Sequence, residues 1–271
     1  MRLKDKVAVI VGAGQNAGET IGNGRATTLR FAQEGARILA VDRRADFAEA
    51  TARMARDAGA ECRAFEADVT REATLKAAMD EAVRRWGRID VLHYNVGISL
   101  EGKDAPVTEI TEEAFDRICQ VNLRGAVMAA KHALPIMRAQ RSGVILMISS
   151  ISAFEIHPFV TYKATKAALI AFTQQLAISN AEYGIRANAI LPGLMDTPMG
   201  VDRRVELTGR PRTEIAAERA ARVPLKGRGG TGWDVANAAL FLASEEAGFI
   251  TGVALQVDGG ALVRIGENRA N

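Results

Sequence analysis

The sequence predicts an α/β fold, a doubly wound parallel sheet of about seven strands with helices on both faces. Two patterns predict it. Seven short β-branched apolar runs alternate with longer amphipathic stretches, and near-continuous apolar strands separated by helices imply a parallel sheet buried on both sides. Glycines Gly35, Gly59, Gly87 and Gly184 each follow a helical stretch, where a left-handed residue ends a helix.

In chain order, Val7–Val11 is the first strand and runs through a glycine-rich turn into a helix over Arg25–Glu34. Arg37–Val41 is the second strand, followed by a helix over Ala45–Ala58. Cys62–Phe65 is the third, followed by Glu72–Trp86. Val91–Asn95 is the fourth strand, and a long helix is expected over Glu112–Arg138. Val144–Ile148 and a helix over Thr165–Tyr183 come next, then strands Arg186–Leu191 and Val253–Val257. The stretch from Met199 to Arg228 interrupts the alternation with many Arg and Glu residues, three glycines and two prolines. Such an insertion reads as a mobile flap over a site within a single domain spanning 1–271, rather than as a second domain.

Composition narrows the function. A length of 271 residues, 48% hydrophobic and 25% charged, is ordinary for a globular protein with a full core. Net charge is only +3 with both signs spread along the chain, so no nucleic-acid or membrane partner is expected. Cys62 and Cys119 lack metal or disulfide spacing, and His93, His132 and His157 lack ligand spacing, so no metal is expected. No signal peptide is recognisable and no apolar run approaches the ~18 residues of a membrane span. A cytoplasmic protein is the expectation.

The first strand leads into Gly12-Ala13-Gly14-Gln15-Asn16-Ala17-Gly18-Glu19-Thr20-Ile21-Gly22-Asn23-Gly24-Arg25. A strand, a glycine-rich turn and a helix N-terminus is how a dinucleotide pyrophosphate is held: glycines admit the backbone to the phosphates, and free N–H groups point at them. The fold is therefore Rossmann-type. The second strand ends at Asp42, where a carboxylate bonds the adenosine ribose hydroxyls and repels a 2′-phosphate. NAD is favoured over NADP, although Arg43 and Arg44 offer guanidinium groups that accommodate that phosphate.

Tyr162 and Lys166 are four residues apart in a helical segment, one turn above each other. A neighbouring ammonium favours phenolate and brings the phenol from near pKa ~10 toward useful acid/base strength. An apolar strand ending in Ser149-Ser150 precedes the pair by one loop, and Val121-Asn122-Leu123 lies between it and the turn.

Together these residues resemble the short-chain dehydrogenase/reductase family over almost the whole chain. The family's quartet of Asn, Ser, Tyr and Lys is matched in order by Asn122, Ser150, Tyr162 and Lys166. Asn95-Val96-Gly97 is similar to its strand-end motif, and Asp68-Val69 to its adenine-contacting pair. Pro192-Gly193-Leu194-Met195-Asp196-Thr197 resembles its nicotinamide-side segment, with Thr197 on the carboxamide. Thr251–Gly260 resembles its last strand.

Three departures stand out. The family has three residues between its first two turn glycines, whereas nine separate Gly12 from Gly22. The loop is thus enlarged, with Gly14, Gln15 and Asn16 available for phosphate or ribose contacts. Val11 replaces a threonine whose hydroxyl would tie the turn to the Asn95 region. Ser150 lies one residue closer to Tyr162 than usual, so Ser149 stays an alternative, and Ser152 reads as a loop hydroxyl.

The resemblance implies hydride transfer between NAD(H) and a secondary alcohol or ketone. Tyr162 would be the general acid/base, Ser150 the hydrogen-bond donor to substrate oxygen and Lys166 the partner of both phenol and nicotinamide ribose. Asn122 would hold a relay water through its backbone carbonyl, or merely kink its helix. His157, Phe154, Ile156 and Phe159 are candidates to line an apolar pocket for a cyclic or medium-sized alcohol, with His157 alternatively on the surface. The flap arginines would suit an acyl carrier or carboxylate, but their accompanying glutamates equally describe a solvated helix. The alternatives are an NADPH-dependent 3-oxoacyl-(acyl carrier) reductase and a non-catalytic NAD(H)-binding regulator. The resemblance also implies a homo-oligomer, tetramer or dimer, paired through the Glu112–Arg138 and Thr165–Tyr183 helices and the last strand.

Overall fold

All seven apolar runs become strands of one parallel sheet. A computed structural model describes residues 1–155, 157–225 and 228–264. The strands are β1 (Val7–Val11), β2 (Arg37–Asp42), β3 (Cys62–Glu66), β4 (Val91–Tyr94), β5 (Gly143–Ile148), β6 (Ile185–Pro192) and, last in the chain, β9 (Ala254–Val257). Their spatial order is β3-β2-β1-β4-β5-β6-β9. The order reverses between β1 and β4, so a crevice opens beyond the carboxyl ends of these two strands, where open α/β sheets bind their ligands. A two-residue pair, β7 (Met195–Asp196) with β8 (Gly230–Thr231), forms a separate small sheet beside it.

Alternation along each strand fills both faces. Val9 and Val11, with Ile145 and Met147, pack beneath α3 (Glu72–Trp86), α5 (Gly125–Gln140) and α6 (Val160–Asn180). Ala8 and Ile10, with Leu146 and Ile148, face α1 (Asn23–Gln33), α2 (Ala45–Asp57) and α9 (Gly232–Ala243). Each such side chain taken fully out of water contributes about 1.5–3 kcal/mol before entropy. Helix α3 illustrates why these segments are helical. Leu75, Ala78, Met79 and Ala82 form one buried stripe, and left-handed Gly87 donates its N–H to Val83 O to end it.

Two helices differ from expectation. The long helix predicted over Glu112–Arg138 is α4 (Glu112–Cys119) and α5, joined by a π-helical turn over Gln120–Arg124 that carries Asn122. Helix α6 begins at Val160, five residues before the predicted start, so Tyr162 sits in its first turn. The predicted flap holds two short helices, α7 (Arg203–Thr208) and α8 (Arg212–Ala220), beyond the ends of β6 and β9. Among the described residues, no helix is long and apolar enough to cross a membrane.

Candidate active site

The glycine turn is closed by backbone and amide contacts. Gly12 has φ +86°, and its N–H and that of Ala13 both donate to Val41 O. Asn95 donates from Nδ2 to Gly12 O at 3.0 Å. This amide supplies, from the β4 side, the tie that Val11 lacks. Helix α1 lies directly on the turn: a Cβ at Gly24 would stand 1.9 Å from Gly12 O and 2.7 Å from Asn95 Nδ2. The enlarged loop is stapled by Gln15, whose Oε1 accepts from Gly22 N at 2.7 Å and whose Nε2 donates to Thr20 O at 2.9 Å. Gln15 is therefore committed to the loop, although it borders the cavity.

The α1 N-terminus carries no acidic residue in its first turn, so its free N–H groups favour an anion. Asn23 Oδ1 is buried there without a partner. Asp42, at the end of β2, accepts from Gly14 N at 3.0 Å and from Arg44 N at 3.1 Å. Burial raises its pKa, and these bonds with the Arg43 charge oppose that rise. Arg44 is drawn into a two-bond pair with Asp46 and stacks 3.8 Å over the Phe47 ring. Arg43 stands on the cavity wall. Asp68 Oδ1 accepts from Thr70 N and Oγ1, turning the chain so that Asp68 and Val69 also line the cavity. A bare glycine turn, an unopposed helix terminus and a carboxylate at the second strand end together fit a dinucleotide.

Beyond β5 the two serines separate. Ser149 Oγ donates to Lys166 O at 2.7 Å, so its hydroxyl proton is committed inside the protein. Ser150 Oγ accepts from Ser152 N at 3.1 Å and exchanges a 2.8 Å bond with Ser152 Oγ. Ser152 is thus a partner of Ser150 rather than a free loop hydroxyl. Tyr162 is set by a residue distant in sequence. The Asp104 carboxylate accepts from Thr161 N at 3.1 Å and Tyr162 N at 2.7 Å, capping α6 where no local side chain does.

Lys166 is 2% exposed, donates from Nζ to Ile148 O at 2.8 Å and lies 5.6 Å over the Tyr162 ring. Gly97 makes its space, since a Cβ there would stand 2.8 Å from Nζ. Asn122, fully buried in the π turn, accepts from Ile98 N and donates to Ile98 O and Thr165 Oγ1. It locks the β4 loop to α6, a larger role than a kink.

Burial brings the Lys166 pKa down to about 7 and pushes the Tyr162 phenol up. The groups opposing that rise are the Ser150 hydroxyl, Arg204 and Arg219, while Glu155 adds to it. Two flap cations thus act on the phenol, and Lys166 Nζ lies 5.6 Å from the centre of its ring.

Gly193 donates to Val257 O, and a Cβ on it would meet Asp258 Cβ at 2.6 Å, which explains the glycine after Pro192. Thr197 Oγ1 accepts from Gly200 N at 3.1 Å, which leaves its proton free to donate. Pro192, Gly193, Met195 and Thr197 all border the same cavity of about 570 Å³ that holds Tyr162, Lys166, Ser150 and the turn. His157 and Phe159 line it too, and the His157 ring lies 5.7 Å from that of Tyr162. Phe154 does not: it is 56% exposed and off the wall, and Ile156 lies outside the described residues.

Sequence reading missed Asp104, which acts across 58 positions, and the roles of Arg204 and Arg219. It also missed a clasp between loop and flap. Arg212 pairs with Asp196, with Asp202 at 2.7 Å and with Glu19 at 3.8 Å, and bonds Thr20 Oγ1 at 3.3 Å. The enlarged loop is thereby pinned to α7 and α8.

Comparison with known proteins gives the same picture. A family model described as enoyl-(acyl carrier protein) reductase matches residues 17–261. The 3-oxoacyl-[acyl-carrier-protein] reductase FabG of Thermotoga maritima is 35% identical over 269 residues, 97% of this chain and all of that protein. Cis-4-hydroxycyclohexanecarboxylate dehydrogenase of Sinomonas cyclohexanicum is 38% identical over 257 residues, covering 94% of this chain and 96% of that one. The crystal structure of levodione reductase superposes with a TM-score of 0.90 at 32% identity, over 97% of this chain and 100% of that one.

Proposed function

Because the chain belongs to the short-chain dehydrogenase/reductase family, an oxidoreductase family whose relatives here are dehydrogenases and reductases, we propose that it moves hydride between NAD(H) and a secondary alcohol or its ketone. The observation that carries this reading is one cavity joining Tyr162, Ser150 and buried Lys166 to the glycine turn and Asp42. A bound nicotinamide dinucleotide supplies the hydride acceptor in oxidation and the donor in reduction.

The residues of the chain do the rest. In oxidation, Tyr162 Oη takes the proton of the substrate hydroxyl as hydride leaves the same carbon. Ser150 Oγ donates to the substrate oxygen, orienting it and stabilising the developing charge. Arg204 and Arg219 ease formation of the phenolate that starts this step, against the cost of burial. Lys166 holds its Nζ in the space Gly97 leaves, bonded to Ile148 O, where it would hold the ribose of a nicotinamide nucleotide. Asn122 holds the Ile98 loop against Thr165 and so fixes α6, with Tyr162 and Lys166 on it, against the end of β4. Reduction runs through the same groups, with Tyr162 returning its proton to the nascent alkoxide. Phe159, His157 and Pro158 on the wall suit a cyclic or medium-sized carbon skeleton.

Asp42 supports NAD. Arg43 beside it, with the similarity to a 3-oxoacyl reductase, supports a second reading in which NADPH drives reduction of an acyl-carrier substrate. Apolar Ile178 and Phe249 on the surface suit a homo-oligomer as its working form. The decisive test compares NAD reduction on cyclohexanol by the native protein and Tyr162→Phe. Loss of about 10²–10⁴ in kcat is expected. Activity retained by the variant would sink the mechanism.

A further inference from the structure

The flap's seven arginines fall into two groups. Four are matched by acids: Arg203 with Glu206 at 2.6 Å, Arg210 with Glu214 and Glu218, Arg212 with Asp196 and Asp202, and Arg228 with Asp234. Arg204, Arg219 and Arg222 form no ion pair among the described residues, and all three line the cavity. We propose that these three bind the anionic group of a small substrate, a carboxylate or sulfonate carried on the same skeleton as the reacting alcohol or ketone. This inference rests on the dehydrogenase reading above and adds the substrate class.

The geometry orients the two inner guanidiniums without neutralising them. Arg204 Nη1 donates to Gly200 O at 2.6 Å and Arg219 Nη2 to Met195 O at 3.4 Å, both neutral acceptors. Arg219 Nε is buried with no partner. The acids that act on Arg219 are Glu155, which forms no ion pair with it, and Asp196, already taken by Arg212. Burial and the charges of Arg204 and Arg222 pull the Arg219 pKa down to about 10. Like charges gathered on one wall oppose one another in the free protein, and an anion placed among them relieves that opposition and gains charge-assisted bonds.

Position decides which ligand. Arg204 and Arg219 act on the Tyr162 phenol, so the cluster stands on the reacting side of the cavity. A dinucleotide phosphate belongs at the α1 N-terminus, which has its own free N–H groups. Arg222, exposed on the rim, draws the anion inward.

The test uses the full chain saturated with NADH, titrated calorimetrically with cyclohexanecarboxylate and with its neutral isostere cyclohexanecarboxamide. The acid is expected to bind at least about tenfold more tightly. Arg219→Gln and Arg222→Gln should each erode that ratio, and Arg219→Lys should restore part of it. Circular dichroism and NADH titration of each variant check folding. Equal binding of acid and amide, no binding of either, or a ratio untouched in both Gln variants would overturn the proposal. So would tighter binding of pantetheine 4′-phosphate than of the acid, which would point to an acyl carrier. Failure of the native protein to bind NADH at all would instead strike the dehydrogenase reading.

Discussion

The two walls of the cavity are built on opposite plans. On the turn side, the side chains that shape the loop are paired inside the protein: Gln15 staples its loop, Asn95 holds Gly12 O, and Asp42 accepts from Gly14 and Arg44. On the flap side, three guanidiniums line the cavity with no ion pair among the described residues. The turn side has to present backbone N–H groups at fixed positions, so rigidity serves it. On the proposed reading, the flap side meets a substrate that varies among relatives, and its unpaired charge would serve that substrate. On the proposed function, cofactor recognition would rest on glycines and backbone, and substrate recognition on uncommitted side chains.

The strongest way to break this contrast is Gly24→Ala. Its methyl would collide with Gly12 O, a backbone atom that cannot move without moving the turn. NADH affinity should fall by about 10²-fold or more, with a lowered unfolding midpoint. Unchanged NADH affinity would mean that the turn tolerates slack and is not the rigid half.

Lys166 stands between the walls, and its titration sharpens the contrast. Its folded pKa of about 7 lies below the ~10.4 of an unfolded lysine. Between those values the unfolded chain holds a proton that the folded protein lacks, so stability falls as pH drops from ~10 to 7, by up to about 1.4 kcal/mol per pH unit. Below that the contribution is flat. Urea unfolding of Lys166→Met across this range should lose that slope, whereas an identical pH dependence would place the charge elsewhere.

A smaller effect tests whether the walls move together. Arg212→Ala cuts the clasp to Asp196, Asp202 and Glu19, at a cost of about 1–2 kcal/mol for a partly buried network. Amide exchange should quicken in residues 16–22 and 203–208 alike. Loosening of the flap alone would show that the loop stands by itself.

Legibility in the sequence follows the same division. The sheet was readable because apolar runs with period two and glycine stops are local signals, and β1 matches its predicted bounds. The glycine-turn wall was readable because a turn, its helix and a strand-end acid lie close in sequence. What escaped depends on contacts between distant segments. Asp104 caps α6 from a loop far upstream, so nothing near Val160 announced the earlier helix start. Asn122 looked like a helix residue because a π turn has no local signature. Val11 suggested a lost tie, and only the fold reveals Asn95 supplying it. The arginines were visible as a cluster, but their sorting into paired and unpaired depends on where α7 and α8 turn each side chain.

The most direct measurement is a titration of the purified protein with NADH and NADPH, followed by nicotinamide fluorescence. With Asp42 at the ribose position and Arg44 engaged by Asp46, NADH is expected to bind at least about tenfold more tightly. Tighter NADPH binding would hand the ribose position to Arg43 and favour the reductase reading. Binding of neither would contradict the account at its base, the glycine turn as a dinucleotide site.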